Sequence, residues 1–186
     1  MATEGVTLLT PEFRVAFPKV FKPERNDFNG KDEYSLVALF DKTANLADLK
    51  AAIKQAAKNL FGDKLPANLR SPIRDGDEKR KDDGSIPNGY EGAMFVTMRC
   101  QKRPGVVDQN VQDIIDESEF YGGCYARANV HVKAYDQRGN KGVAIYLNHV
   151  QKLRDGDAFG TGRVSPQQAF SAVEGAKAAD AGGIFD

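Results

Sequence analysis

One segment of the chain alternates between small apolar and larger, mostly polar side chains over thirteen residues, from Gly123 to Tyr135. One parity holds Cys124, Ala126, Ala128, Val130, Val132 and Ala134, and the other holds Tyr125, Arg127, Asn129, His131, Lys133 and Tyr135. Strict alternation predicts a β-strand with one buried face, and a buried face of such small residues suits the tightly curved interior of a small barrel. After a turn at 136–142, Val143, Ile145 and Leu147 alternate in the same way, so the two segments are predicted to form a β-hairpin.

Three further segments have strand patterns, and they lie at 13–21, 34–40 and 93–103. Pro18 lies inside the first of them, which predicts an edge strand or a bulge at this point. Apolar residues at helical spacing predict one helix at about 45–61, with Asn45 as its N-cap and Gly62 just after its end. The stretch at about 63–89 is rich in proline and glycine and is therefore predicted to be a long loop.

These elements predict an all-β fold with one or two helices, namely an OB-like five-stranded Greek-key barrel with a long loop. An α+β sheet packed on a helix is the alternative. The predicted domain spans residues 10–158. Residues 159–186 are predicted to form a flexible, mildly acidic C-terminal tail, with a short helix at 166–179 as an option.

The charge of the chain is segregated rather than large. The 26 basic and 26 acidic residues cancel, so any binding of nucleic acid has to use a local excess of positive charge. Between residues 121 and 154 there are six Lys or Arg and the single acid Asp136, whereas from residue 155 onward five acids face two bases. A basic segment followed by an acidic tail is therefore the first indication of function.

The N-terminal residues have no secretory signal pattern, and no run approaches the ~18 apolar residues of a membrane span. This predicts a cytoplasmic protein without a membrane partner. Cys100 and Cys124 are expected to be reduced thiols. His131 and His149 have no Cys or carboxylate at ligand spacing, so neither a metal nor another cofactor is expected.

The outer parity of the long strand has the composition of a single-stranded nucleic acid interface. Bases stack on aromatic rings whatever their identity, at about 1–3 kcal/mol per base, and cations follow the phosphates. The residues predicted to bind are Tyr125, Arg127, Lys133, Tyr135, Phe95, Arg99, Arg103 and Tyr146. The alternative is a solvated sheet face without a ligand, because exposed strand faces often carry Tyr, Lys and Arg.

A carboxylate cluster at Asp75–Asp83 keeps an enzymatic alternative open. Asp77, Glu78 and Lys79 match part of the acid-and-lysine pattern of metal-dependent nucleases, in which acids hold Mg²⁺. Asp48 and Lys50 have the same spacing inside the predicted helix, however, and a loop holds catalytic groups less rigidly than a strand or helix. An acidic loop that shields a groove or contacts a partner is the other interpretation of this cluster. For the chain as a whole, a virion or scaffold protein whose barrel is only structural is a further alternative.

Several strings resemble a family of phage single-stranded-DNA-binding proteins that was long catalogued as a domain of unknown function and belongs to tailed-phage replication and recombination modules. The strings are RVAFPKVFKP (14–23), YSLVALFDK (34–42), SPIRDGDEK (71–79), GYEGAMF (89–95), FYGGCYARANVHVKAYDQRGNKGVA (120–144) and VQKLRDGDAFG (150–160). The resemblance implies an OB-fold that binds single-stranded DNA without strong sequence preference and is not an enzyme. Related binding proteins end in an acidic tail with an aromatic residue near its tip, and Ile184, Phe185 and Asp186 resemble a reduced version of it. The resemblance therefore implies that these residues contact replication or recombination proteins in the host cytoplasm, and a disordered C-terminus without a partner is the alternative.

Overall fold

The computed structural model of the chain describes residues 4–159, which form eight β-strands and one α-helix. In chain order these are β1 (Val6–Leu9), β2 (Phe13–Asn26), β3 (Lys31–Asp41), α1 (Ala47–Phe61), β4 (Arg74–Asp75), β5 (Ala93–Cys100), β6 (Gly105–Val107), β7 (Tyr125–Gln137) and β8 (Asn140–Arg154). Short 3-10 helices span Gly76–Glu78 and Glu117–Glu119. The tail residues Ile184, Phe185 and Asp186 and the optional helix at 166–179 lie outside the described residues, so their roles stay predictions.

Five of the strands pair in a ring. β3 pairs antiparallel with β2 on one side and with β5 on the other. β8 joins β5 in parallel at only two residue pairs, Met98 with Ile145 and Arg99 with Tyr146. β7 pairs antiparallel with β8 along nearly its whole length and also pairs with β2, which closes the ring. This strand order is that of a five-stranded OB-like Greek-key barrel, so the predicted fold class is confirmed.

Three short strands add to the outside of this ring. β1 pairs with β7, β6 pairs with β8, and β4 pairs with β5. Alternation in the sequence is too short in these segments to distinguish them from loops. Within residues 4–159, no helix is long and apolar enough to cross a membrane.

Side chains from several strands and from α1 fill the barrel interior. The small side chains on the inner face of β7 are at most 4% exposed, and they pack in one cluster with Phe13, Phe40 and Leu36. The rings of Phe13 and Phe40 meet edge to face at 5.6 Å between centroids. α1 buries Leu49 and three alanines against the same cluster. Each large side chain buried in this way contributes about 1.5–3 kcal/mol, and the small residues of β7 leave the room that these large ones fill.

Local details mostly follow the sequence. The expected bulge at Pro18 is present, as the pairing of β2 with β3 shifts between Ala16 and Lys19 and Phe17 has a φ of 45°. The expected cap of α1 is wrong by one position: Leu46 occupies the N-cap, and Asn45 instead accepts a hydrogen bond from the Ala47 amide at 3.0 Å. Leu46 is buried, so packing determines where this helix begins.

Candidate nucleic acid interface

A groove crosses the outer face of the barrel where β5 and β8 meet. It consists of two adjoining compartments of about 770 Å³ and about 550 Å³. The compartments share Glu33, Arg99 and Tyr146. Because the compartments adjoin, a single extended chain could occupy both of them. We call the larger one the first compartment and the smaller one the second compartment.

The first compartment lies between two walls that come from different parts of the chain. One wall is the far end of the β2–β3 hairpin, with Asn26 and Asn29. The other is the segment from Arg70 to Arg74, which leads into β4. The floor consists of outward-facing side chains of β5 and β8, Thr97 and Tyr146 among them.

The second compartment follows the chain from β5 toward β6. Its lining includes Lys102 and Arg103, and Asn148 and His149 lie on the β8 side. Cys100 also lines it, and burial, reinforced by the nearby Glu33, raises the pKa of this thiol to about 11. The thiol is therefore protonated and unreactive at neutral pH.

The groove carries a local excess of positive charge. Its exposed cations are Arg70, Arg74, Arg99, Lys102 and Arg103. Among residues 4–159, none of the five takes part in an ion pair. The carboxylate in the lining, Glu33, accepts hydrogen bonds from the side-chain amides of Asn26 and Asn29, each at 2.8 Å. Because none of them is paired with a carboxylate in this part of the chain, the arginines are available to an anionic ligand such as a phosphate backbone.

Two tyrosines present rings to the first compartment. Tyr146 is 42% exposed in the middle of the floor. Tyr135 lies across Gly142, its partner on β8, where a Cβ atom would come within 2.5–3.0 Å of three atoms of the phenol. Glycine at this position therefore leaves room for the Tyr135 ring above the neighbouring strand, where the ring lines the first compartment.

Phe95, one of the residues predicted to bind, is buried. Phe95 faces the outer side of β5 as its parity indicates, but it is only 4% exposed. The ring of Tyr90 covers it at 5.0 Å between centroids, the guanidinium of Arg74 lies 5.1 Å from its ring centroid, and Leu39 packs beside it. A second small hydrophobic cluster thus covers this part of the outer face, so Phe95 supports the groove from below.

The structure brings together five of the eight residues predicted to bind, namely Phe95, Arg99, Arg103, Tyr135 and Tyr146. The other three, Tyr125, Arg127 and Lys133, line neither compartment. The guanidinium carbon of Arg154 lies 3.6 Å from the ring centroid of Tyr125, and Arg127 donates a hydrogen bond to Gln151 at 2.8 Å. Tyr125 is ten residues from Tyr135, roughly 30 Å along the strand.

Sequence reasoning missed the arginine wall of Arg70 and Arg74. Both residues lie in the Pro- and Gly-rich stretch, where no periodicity indicates which way a side chain points. The only signal was that two arginines stand four positions apart on either side of Pro72. Lys102, which is next to the predicted Arg103, was missed because it has the opposite parity in the strand pattern.

The acidic loop is organised around a lysine. The ammonium of Lys42 lies 3.1 Å from a carboxylate oxygen of Asp75 and also pairs with Asp77. Asp77 accepts a further hydrogen bond from the amide of Gly92. The hydrogen bond from Lys42, followed by that from Gly92, lowers the pKa of Asp77. The two carboxylates thus fix the segment that carries Arg74. Residues 4–159 contain no cluster of three or more His, Cys, Asp or Glu arranged to hold a metal ion.

Comparison with known proteins connects this geometry to one family. The sequence model of the family described as "Enterobacter phage Enc34, ssDNA-binding protein" matches residues 6–181. A protein designated p50 from Acyrthosiphon pisum secondary endosymbiont phage 1 is 32% identical over 169 residues, which cover 84% of this chain and 88% of that protein.

Solved structures show the same fold. The single-stranded DNA-binding protein from bacteriophage Enc34 in complex with ssDNA superposes with a TM-score of 0.70 at 22% identity, covering 86% of this chain and 96% of that one. The gp2.5 single-stranded DNA-binding protein of bacteriophage T7 superposes with a TM-score of 0.60 at 13% identity, covering 95% and 100% of the two chains.

Proposed function

Because the chain belongs to the family of the Enterobacter phage Enc34 ssDNA-binding protein, we propose that it binds single-stranded DNA along the groove during phage replication or recombination. The observation that carries the proposal is the composition of the groove: five exposed cations, none of which has an ion pair within residues 4–159, lie around two accessible tyrosine rings. Neutralised phosphates would supply affinity that depends on salt, and stacked bases would supply about 1–3 kcal/mol each.

The chemistry of these contacts accounts for weak sequence preference. Tyr135 and Tyr146 offer flat aromatic faces, and every base has a π-face that stacks on them. Arg70 and Arg74 on one side and Arg99 on the floor suit phosphates, because a guanidinium presents paired donors to two phosphate oxygens. Neither kind of contact reads the identity of the base edge, so the groove recognises any unpaired strand.

We infer that the chain acts by binding and not by catalysis, in the cytoplasm of the host cell. The acidic loop, which in sequence resembles part of a nuclease site, has Lys42 between Asp75 and Asp77. A metal ion at these carboxylates would have to displace that ammonium. The family and the two solved structures named above are described as single-stranded DNA-binding proteins, which is consistent with this role.

The test is fluorescence anisotropy of a labelled oligo-dT with the wild type and the double variant Arg99→Ala/Tyr146→Ala. Both side chains are exposed, so their removal should leave the fold intact. The loss of one stacked base and one phosphate contact predicts roughly tenfold or greater weakening at moderate salt. Lys54→Ala is the charge control, because Lys54 is exposed on α1 and lies outside the groove.

The variant Arg127→Ala distinguishes binding in the groove from binding at the other end of β7, where the sequence also predicts contacts. Weakening by Arg127→Ala together with Tyr125→Ala, and none by the groove variant, would move the site to that end. No binding by the wild type at low salt would refute the function itself.

A further inference from the structure

The far end of the β2–β3 hairpin extends beyond the barrel. β5 pairs with β3 only from Tyr34 onward, whereas Glu24, Arg25 and Asn26 pair with residues 31–33 of the same hairpin. The pairing of β2 with β3 shifts between Lys19 and Glu24, which separates this end from the part inside the ring. The hairpin end therefore stands beside the first compartment as a wall that the barrel does not cover.

The tip of this hairpin is held in one conformation by its own side chains. The Asn26 side chain accepts from the Phe28 amide at 3.0 Å, and the Asn29 side chain accepts from the Lys31 amide at 2.9 Å. Gly30, with a φ of 68°, donates to the carbonyl of Asn26 at 2.7 Å. The same two asparagines hold Glu33 in the groove lining, so the tip and the groove wall form one hydrogen-bonded unit.

This ordered tip exposes a phenylalanine almost completely to solvent. Phe28 is 97% exposed, more than any other large hydrophobic residue that the structure describes. Its ring contributes almost nothing to the packing of the fold, because burial is what makes an aromatic side chain stabilising. Asn26 and Asn29, on either side of it, both line the first compartment.

We propose that Phe28 is an additional base-stacking residue, and that the hairpin tip holds the DNA strand where it leaves the first compartment. This inference rests on the proposed function and adds a contact that the groove alone does not contain. A rigid tip loses little conformational freedom when a base stacks on it, so the contact costs less than one from a mobile loop. Lys31, exposed at the same tip, is placed for the adjoining phosphate.

The chain offers a direct optical test, because it contains no tryptophan. Phe28→Trp creates a protein with one tryptophan, whose emission is quenched when a base stacks on the indole. Ile115→Trp is the matched control: Ile115 is also highly exposed, at 87%, and lines neither compartment. We expect oligo-dT to quench Phe28→Trp strongly and saturably, and Ile115→Trp little. Equal quenching in both, or none in Phe28→Trp at saturating DNA, would overturn the proposal.

Affinity gives an independent measurement. Phe28→Ala is expected to weaken oligo-dT binding by roughly fivefold or more, since one stacked base is worth at least about 1 kcal/mol. Phe28→Tyr keeps the ring and should bind like the wild type, whereas Phe28→Leu keeps apolar area without a flat face and should bind like Phe28→Ala. Ile115→Ala should have no effect.

The two proposals can fail separately. If the wild type binds and Arg99→Ala/Tyr146→Ala weakens binding while Phe28→Ala does not, the groove stands and the role of Phe28 is refuted. If the wild type does not bind oligo-dT, the function itself fails.

Discussion

The affinity for single-stranded DNA should depend on salt to an extent set by the groove cations. Each phosphate neutralised on a single strand contributes about −0.7 to the slope of log K against log salt concentration. If all five cations of the groove contact phosphates, the slope should be about −3.5. Between 50 mM and 200 mM NaCl the affinity should then fall roughly 130-fold. Anisotropy titrations of an oligo-dT at four or more salt concentrations measure this slope.

Single variants then show which cations contribute. Arg74→Ala should reduce the magnitude of the slope by about 0.7, and Arg70→Ala should do the same, because both guanidiniums belong to the arginine wall. Lys54→Ala removes the same charge from α1 and should leave the slope unchanged. A slope near zero for the wild type, or one that responds equally to Lys54→Ala and Arg74→Ala, would refute the assignment of phosphate contacts to the groove.

Three further outcomes follow from contacts described above. Phe13→Ala should lower the free energy of unfolding by about 3–5 kcal/mol, measured by urea denaturation, because Phe13 is 1% exposed against Phe40; a loss below 1 kcal/mol would contradict its place in the core. Asp77→Asn should be less stable than the wild type at neutral pH. Because the folded-state pKa of Asp77 is lowered, the difference should be complete above pH ~4 and should disappear as pH falls through the lowered pKa; a pH-independent difference in thermal melts would exclude the ion pair as its cause. Cys100 should react with a thiol reagent at pH 8 much more slowly than a free thiol, because a pKa of about 11 leaves on the order of 0.1% thiolate, compared with about 24% for a free thiol of pKa about 8.5; labelling without denaturant at the rate of a free thiol would contradict this.

The barrel could be predicted because its strands carry two-residue periodicity. The inner parity of β7 fills the core as expected, and the hairpin to β8 turns at Arg138 and Gly139, both with positive φ. The bulge at Pro18 was predictable from the missing amide of proline. In each case a short stretch of sequence contains the cause of the structure.

The candidate site was predicted less completely, because the exposure of an outward-facing side chain depends on which other residues cover that face of the sheet. Parity places Phe95 on the outer side of β5, but Tyr90, in the turn just before this strand, covers it. Parity likewise places Tyr125 outward, and the guanidinium of Arg154 then covers its ring. Arg70 and Phe28 lie in a loop and a turn, where periodicity has no meaning. The contact of Arg154 with Tyr125 joins residues far apart in sequence, so no local pattern records it.

The join between β5 and β8 has a consequence for how the barrel moves. Like the pairing of β2 with β7, it consists of only two residue pairs, and one of them is Arg99 with Tyr146. A transient separation of β5 from β8 would move apart the two side chains proposed to hold phosphate and base. A strand of DNA that contacts both would bind only the closed ring and would shift the population toward it. The ligand would then stabilise the pairing of β5 with β8, and slower amide hydrogen exchange in these two strands would report the closure.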